Sequence, residues 1–209
     1  MNTQTMDALA AADASARLAA ALAIGSNPTP ELLDVLVARC AIEPDFFVRE
    51  MLTWALIRLP RELTVPRLVA ELRSERAQAR SQALHTLSKI KDPGAWPAIT
   101  QSLLRDSDDE VARSAWRAAV ILVPDGQKKH LADELVTQLG RGDRHVQLSL
   151  SRALVALGEE AVEPALRNAM ASDDTGKCAH ARATERLLRD PDAGFELAVN
   201  DETAVHSRQ

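Results

Sequence analysis
The chain has 209 residues, a net charge of −5 and 46% hydrophobic content, enough for a sizeable core and with no global pull toward nucleic acid or acidic membranes. Aromatic residues make up only 3%, with no Tyr, which disfavours strands and favours helices packed through Ala and Leu. Two cysteines, Cys40 and Cys178, with no CxxC or Cys/His cluster read as free thiols; without a basic leader at the start or an apolar run near ~18 residues, the expectation is a soluble cytoplasmic protein.

In chain order, one apolar pattern keeps returning. An anchor residue is followed by small or aliphatic residues at +4, +7, +8 and +11, the spacing of one helix face. Ala14 leads Leu18, Ala21, Leu22 and Gly25. Val48 leads Leu52, Ala55, Leu56 and Leu59. Ala79 leads Ala83, Thr86, Leu87 and Ile90. Val111 leads Ala115, Ala118, Ala119 and Leu122. Val146 leads Leu150, Ala153, Leu154 and Leu157, and Ala179 opens a degraded last copy with Ala183 and Leu187.

The clearest copy is Asp106–Val123. There Asp108 is placed to cap the first turn, and the acidic run through Glu110 sits at the positive end of the helix dipole.

Each anchor helix is followed by a second apolar pair at i, i+4: Leu32–Leu36, Leu68–Leu72, Ile99–Leu103, Leu135–Leu139 and Leu166–Met170. Pro66, Pro97 and Pro164 each stand two residues before such a pair, which predicts three helix starts, where a missing N–H is harmless. The unit is therefore helix, turn, helix, repeated about every 33 residues. Such a unit cannot bury its apolar face alone, and stacking gives an α-solenoid. The expected organisation is one domain over 1–199, in units of about 8–43, 44–75, 76–105, 106–140, 141–171 and a cap at 172–199, with a flexible tail at 200–209. Pro124–Lys129 reads as a loop insertion, and Asp192–Val199 as a short final helix.

The step Asp108-Asp109-Glu110-Val111 into Ala115, Ala118 and Leu122, together with Phe47-Val48-Arg49 and Gln78-Ala79-Arg80, resembles HEAT repeats, most of all the short bacterial kind grouped with phycobilisome-lyase-type HEAT-like repeats. The resemblance spans about residues 8–190. It implies an all-α, right-handed α-solenoid of five to six repeats, with second helices lining a concave, partner-binding surface. It also implies an armadillo-like scaffold rather than an enzyme. The family's Asp/Arg ladder is partial here. Asp45, Asp108 and Asp143 hold its first position and Arg49 and Arg80 its second, Arg113 falls one place late, and Gln147 and His180 stand in later.

No catalytic constellation stands out. The histidines lack metal-ligand spacing, so neither a metal site nor a cofactor is expected. Ser81, Ser114, Ser149 and Ser151 read as helix-surface serines without a GxSxG elbow. The candidate partner-binding residues are the non-core positions of the second helices: Arg67, Glu71, Gln101, Arg105, Glu134, Gln138 and Arg141. Residues 49–91 carry nine Lys/Arg against four Asp/Glu. This opens an alternative, a basic patch at Arg73, Arg76 and Arg80 that would associate with nucleic acid. Similar short repeat proteins resemble accessory segments of MerR-type transcription regulators. Trp54 and Trp116 either pack between neighbouring first helices or stand exposed as binding anchors.

Overall fold
The computed structural model describes residues 3–190, all of whose regular elements are helical. The proposed final helix at Asp192–Val199, the tail at 200–209 and His206 lie outside the described residues. The fold is that of an all-α solenoid, and its packing forms two compact units that meet in sequence between Pro124 and Asp125. This boundary falls at the Pro124–Lys129 insertion, inside the fourth repeat of the single domain expected from sequence.

In the first unit, helices α1 (Thr3–Leu9), α2 (Ala14–Ser26), α3 (Leu33–Cys40), α4 (Phe46–Ile57), α5 (Arg61–Glu71), α6 (Ala77–Ile90), α7 (Gln101–Leu104) and α8 (Asp109–Leu122) follow one another. The anchor helices α2, α4, α6 and α8 pack in series, and α3 and α5 form the second layer beside them. The second unit contains α9 (Lys128–Leu135), α10 (Arg144–Leu157), α11 (Glu159–Met170) and α12 (Thr175–Arg189), with α10 against α12 and α9 against α11.

The recurring carboxylates start the helices as their chemistry requires. Asp13, Asp45, Asp108, Asp143 and Asp174 each accept a backbone N–H of the first turn. Arg76 takes the equivalent place before α6 with no side-chain bond. Measured from these caps, Val48, Ala79, Val111 and Val146 occupy one position, and all are buried. The register of the first copy differs from its sequence pattern. Asp13 caps α2, so Ala16 rather than Ala14 is the equivalent of Val111, and Leu22 is 42% exposed. The physical reason is composition: α2 is so rich in Ala and Leu that more than one of its faces satisfies the spacing. The helix α1 also had no counterpart in the pattern.

The prolines do not start helices. Pro66 lies inside α5 and Pro164 inside α11, each at the sixth residue. The i−4 carbonyls they leave without a donor belong to Glu62 and Glu160, exposed residues where water can serve. Pro97 lies in a 3-10 helix, Pro93–Ala98. That segment ends at Ile99, and Thr100 (φ −85°, ψ 160°) restarts the chain as the single turn α7. The second helix of this repeat is thus broken and short.

The alanines of the seam allow close approach. Val111, Ala112, Ala115, Ala118 and Ala119 of α8 are fully buried, and α6 is the neighbour with which α8 makes its most extensive contact. Trp54 of α4 packs into the niche of Gly25 on α2, where an added Cβ would stand 2.2 Å from the ring. This is packing between neighbouring first helices. Trp116 is fully buried, but on the second-helix side: its Nε1 donates to the Leu104 carbonyl at 2.8 Å.

Candidate functional site
Between repeats, a guanidinium recurs one turn after the cap. Arg49 Nη1 donates to the carbonyls of Glu43 and Pro44, and Arg80 Nη1 to those of Ser74 and Glu75. Arg17 does the same to Ala11 and Ala12. In the second unit Gln147 Nε2 replaces the guanidinium and donates to the Gly142 carbonyl at 3.1 Å. Both Gly140 and Gly142 adopt positive φ, and a Cβ on Gly142 would meet Val146 at 2.7 Å.

Two of these arginines reach on to a carboxylate two residues before the next cap. Arg80 binds Asp106 with two hydrogen bonds, at 2.9 and 3.1 Å. Arg17 binds Glu43 at 2.9 and 2.7 Å. Asp106, whose carboxylate also accepts the Asp108 amide, therefore serves the repeat junction as well as the helix start.

Glu43 gathers several of these bonds on one residue, and its role has no local sequence signature. Its side chain is 0% exposed. Besides Arg17, it accepts from Arg39 at 2.8 and 2.6 Å and from the Asp45 amide at 2.9 Å. Its own carbonyl accepts from Arg49 and, at 2.7 Å, from Gln78 of α6. Burial alone would push the carboxyl up, but the bonds from Arg17, the Asp45 amide and Arg39 outweigh it and bring the pKa to about 2.

The serines read as surface residues are largely interior. Ser81 and Ser114 join α6 to α8 at 3.1 Å, and both are buried. Ser151 is buried in the second unit beside His180. There the Gly140 amide donates to His180 Nδ1 at 3.0 Å, so Nε2 carries the ring proton and faces both the Gln147 carbonyl and Ser151 Oγ. Thr184 gives its proton to the His180 carbonyl, so it receives that of Ser151. A histidine with Nδ1 filled and Nε2 protonated is not a base toward this serine; the chain of bonds ties α10 to α12. Cys40 is no nucleophile at neutral pH either, because burial pushes its thiol up to about 12.

Burial holds His180 neutral, pulling its pKa down to about 4 against the weaker opposing effect of the Gln147 carbonyl. The unfolded chain takes up a proton near pH 6.5 that the folded chain refuses until about 4. Stability of the second unit is therefore complete above pH 6.5 and falls as pH drops from 6.5 to 4, by on the order of 3 kcal/mol. Thermal melts monitored by circular dichroism at pH 7 and pH 4.5 should show this loss in the parent and much less of it in His180→Gln.

The expected partner-binding residues fall in both units. Arg67 is spent on Asp34 at 2.6 Å and on Glu71 at 2.7 Å. Gln101 and Arg105 are exposed on and after α7. In the second unit, Arg141 donates to Gln138 at 3.3 Å. Glu134 is only 8% exposed and so is not an open rung of a charged ladder, because it lies on the inner face of α9. Of the basic patch, Arg80 is consumed by Asp106, while Arg73 and Arg76 stay exposed.

What the pattern did not show is a groove beside Arg73. Because the second helix of the third repeat is broken at Thr100, a cavity of about 370 Å³ opens between α5 and α7. Its apolar lining is Val69, Leu72, Pro97, Ala98 and Leu103; Arg73, Arg80, Asp106, Thr100 and Ser102 supply the polar groups. The one sequence signal was the spacing Pro93…Pro97 before a polar Thr100. A second feature missed from sequence is the exposed pair Phe46 and Phe47, 57% and 68% accessible, edge to face at 5.5 Å.

The family model for HEAT repeats matches residues 44–121. This segment is a run of HEAT repeats. The whole groove, Val69 to Asp106, lies within the HEAT segment, as does the junction between Arg80 and Asp106. Among solved structures, an engineered protein matches with a TM-score of 0.50 at 19% identity, over 93% of this chain and 100% of that one. A second engineered protein gives 0.48 at 22%, over 90% and 97%. The complex of CpcE and CpcF of phycocyanin lyase from Nostoc sp. PCC7120 gives 0.49 at 21%, over 88% of this chain and 75% of that one. At such identities the likeness concerns fold alone. The search of the curated proteins gives no match. Among the described residues, no helix is long and apolar enough to cross a membrane.

Proposed function
We propose that this HEAT-repeat chain is a non-enzymatic cytoplasmic scaffold or adaptor that receives a protein partner on its concave, second-helix face, at the groove between α5 and α7. The observation that carries the reading is the groove itself, an apolar floor with polar groups at its margin, the usual make-up of a recognition site. The alternative, nucleic-acid association through the basic segment, is weakened by the pairing of Arg67 and Arg80 with Asp34, Glu71 and Asp106. Of the patch at Arg73, Arg76 and Arg80, this leaves Arg73 and Arg76 exposed, and two cations neutralise few phosphates.

Affinity capture from the native cell with the parent chain and Val69→Asp tests this. The expected result is a protein partner retained by the parent and lost by a variant that melts at the same temperature. Equal recovery on both would overturn the assignment to the groove.

A further inference from the structure
We propose that the occupant of this groove is an extended acidic peptide segment, one of whose carboxylates pairs with Arg73 while an adjoining aliphatic side chain lies on Val69, Leu72 and Leu103. The inference rests on the reading of the groove as the partner site and adds the chemistry of the partner. The carboxylate lining the groove, Asp106, is already held by two hydrogen bonds from Arg80. Arg73 is exposed and, among the described residues, has no ion pair, so it is the uncompensated charge of the site.

The hydroxyls of Thr100 and Ser102 lie 2.8 Å apart. One of them donates to the other, and the second proton remains available to a ligand oxygen. A guanidinium and a hydroxyl donor lining one groove suit a carboxylate, and the buried Leu72 and Leu103 give the neighbouring residue an apolar seat. The groove lining contains no aromatic side chain on which a base would stack, so the same cation is better matched to a peptide than to a single-stranded nucleic acid.

Fluorescence anisotropy on the full chain tests the proposal with two labelled octapeptides, Gly-Ser-Glu-Leu-Glu-Leu-Gly-Ser and its counterpart with Gln in place of both Glu. The acidic peptide should bind at least about tenfold more tightly. Arg73→Glu should reduce it to the level of the neutral peptide. Arg76→Glu, a charge change of the same size on an exposed residue outside the groove lining, should leave the difference in place. Unaltered melting of Arg73→Glu shows that the fold is intact. Equal affinity for the two peptides, or an acidic preference that survives Arg73→Glu, overturns the proposal. If both peptides bind equally and Val69→Asp abolishes both, the groove stands as partner site and only its charge preference falls. An eight-nucleotide single-stranded RNA that displaces the peptide and depends on Arg73 also overturns it, in favour of nucleic acid.

Discussion

Ala118→Glu should abolish cooperative folding of the unit that ends at Pro124. Ala118 is fully buried in the middle of α8, in a seam whose other members, Ala115 and Ala119, are equally enclosed. A glutamate there has to displace packed neighbours and also leave its charge in buried surroundings. Overpacking costs about 1–3 kcal/mol and an unpaired buried charge several more. Together these are comparable with the whole stability of a domain. Arg117→Glu places the same side chain one residue earlier, on the exposed side of the helix, and should stay within about 0.5 kcal/mol of the parent. Urea denaturation of the two variants makes the comparison. A parent-like midpoint for Ala118→Glu would mean that the register of the seam is wrong.

Glu43→Ala should be the most damaging truncation of a polar residue, by about 3–5 kcal/mol, the range for removing one partner of a buried ion pair. The substitution leaves Arg17 and Arg39 facing each other without their shared carboxylate, and the Asp45 amide without its acceptor. The loss touches α2 and α3 through Arg17 and Arg39 and the start of α4 through the Asp45 amide, whereas the backbone carbonyl of residue 43 keeps its bonds from Arg49 and Gln78. Its pH dependence follows from the depressed pKa. The contribution is present above the ordinary carboxyl value of 4.5 and is lost as pH falls toward about 2. Melting temperatures of parent and variant should therefore differ at pH 7 and converge below pH 4. A difference that persists unchanged at pH 2.5 would show that the ion pairs are not its source. The second unit should lose stability at milder acidity, since His180 acts between pH 6.5 and 4.

Much of this architecture is visible in the sequence, for reasons that particular residues make plain. Val48, Val111 and Val146 each have a polar or charged residue on at least one side (Arg49, Glu110, and both His145 and Gln147), so the apolar stripe stands out, and all three are buried. Asp108 and Asp143 immediately precede their helices and cap them. The stripe of α2 is a poor guide because Leu18 and Leu22 match the spacing, yet Leu18 is only half-buried and Leu22 is exposed.

The arginine ladder was half legible. Arg49 and Arg80 follow the family step, but Arg17 was hidden by the two-residue error in register. Its partner Glu43 is 26 residues away, a distance that no local pattern spans. The groove was illegible for a different reason. It arises where a helix is missing: the pair Ile99–Leu103 promises a continuous second helix, and the break at Thr100 between them is a backbone event. Pro66 and Pro164 show the same limit. Their even spacing was real, but it marks tolerated interruptions in exposed helix backs, not helix starts.

The central claim is that a protein partner sits on the second-helix groove and not on the exposed aromatic pair at the start of α4. Site-specific photo-crosslinking decides between them, with a photoreactive residue placed at Val69 in one protein and at Phe47 in another, each incubated with the captured partner. Adducts are expected from position 69, suppressed by an excess of the acidic peptide, and none from position 47. Adducts from position 47 alone would contradict it and move the interaction surface to Phe46 and Phe47.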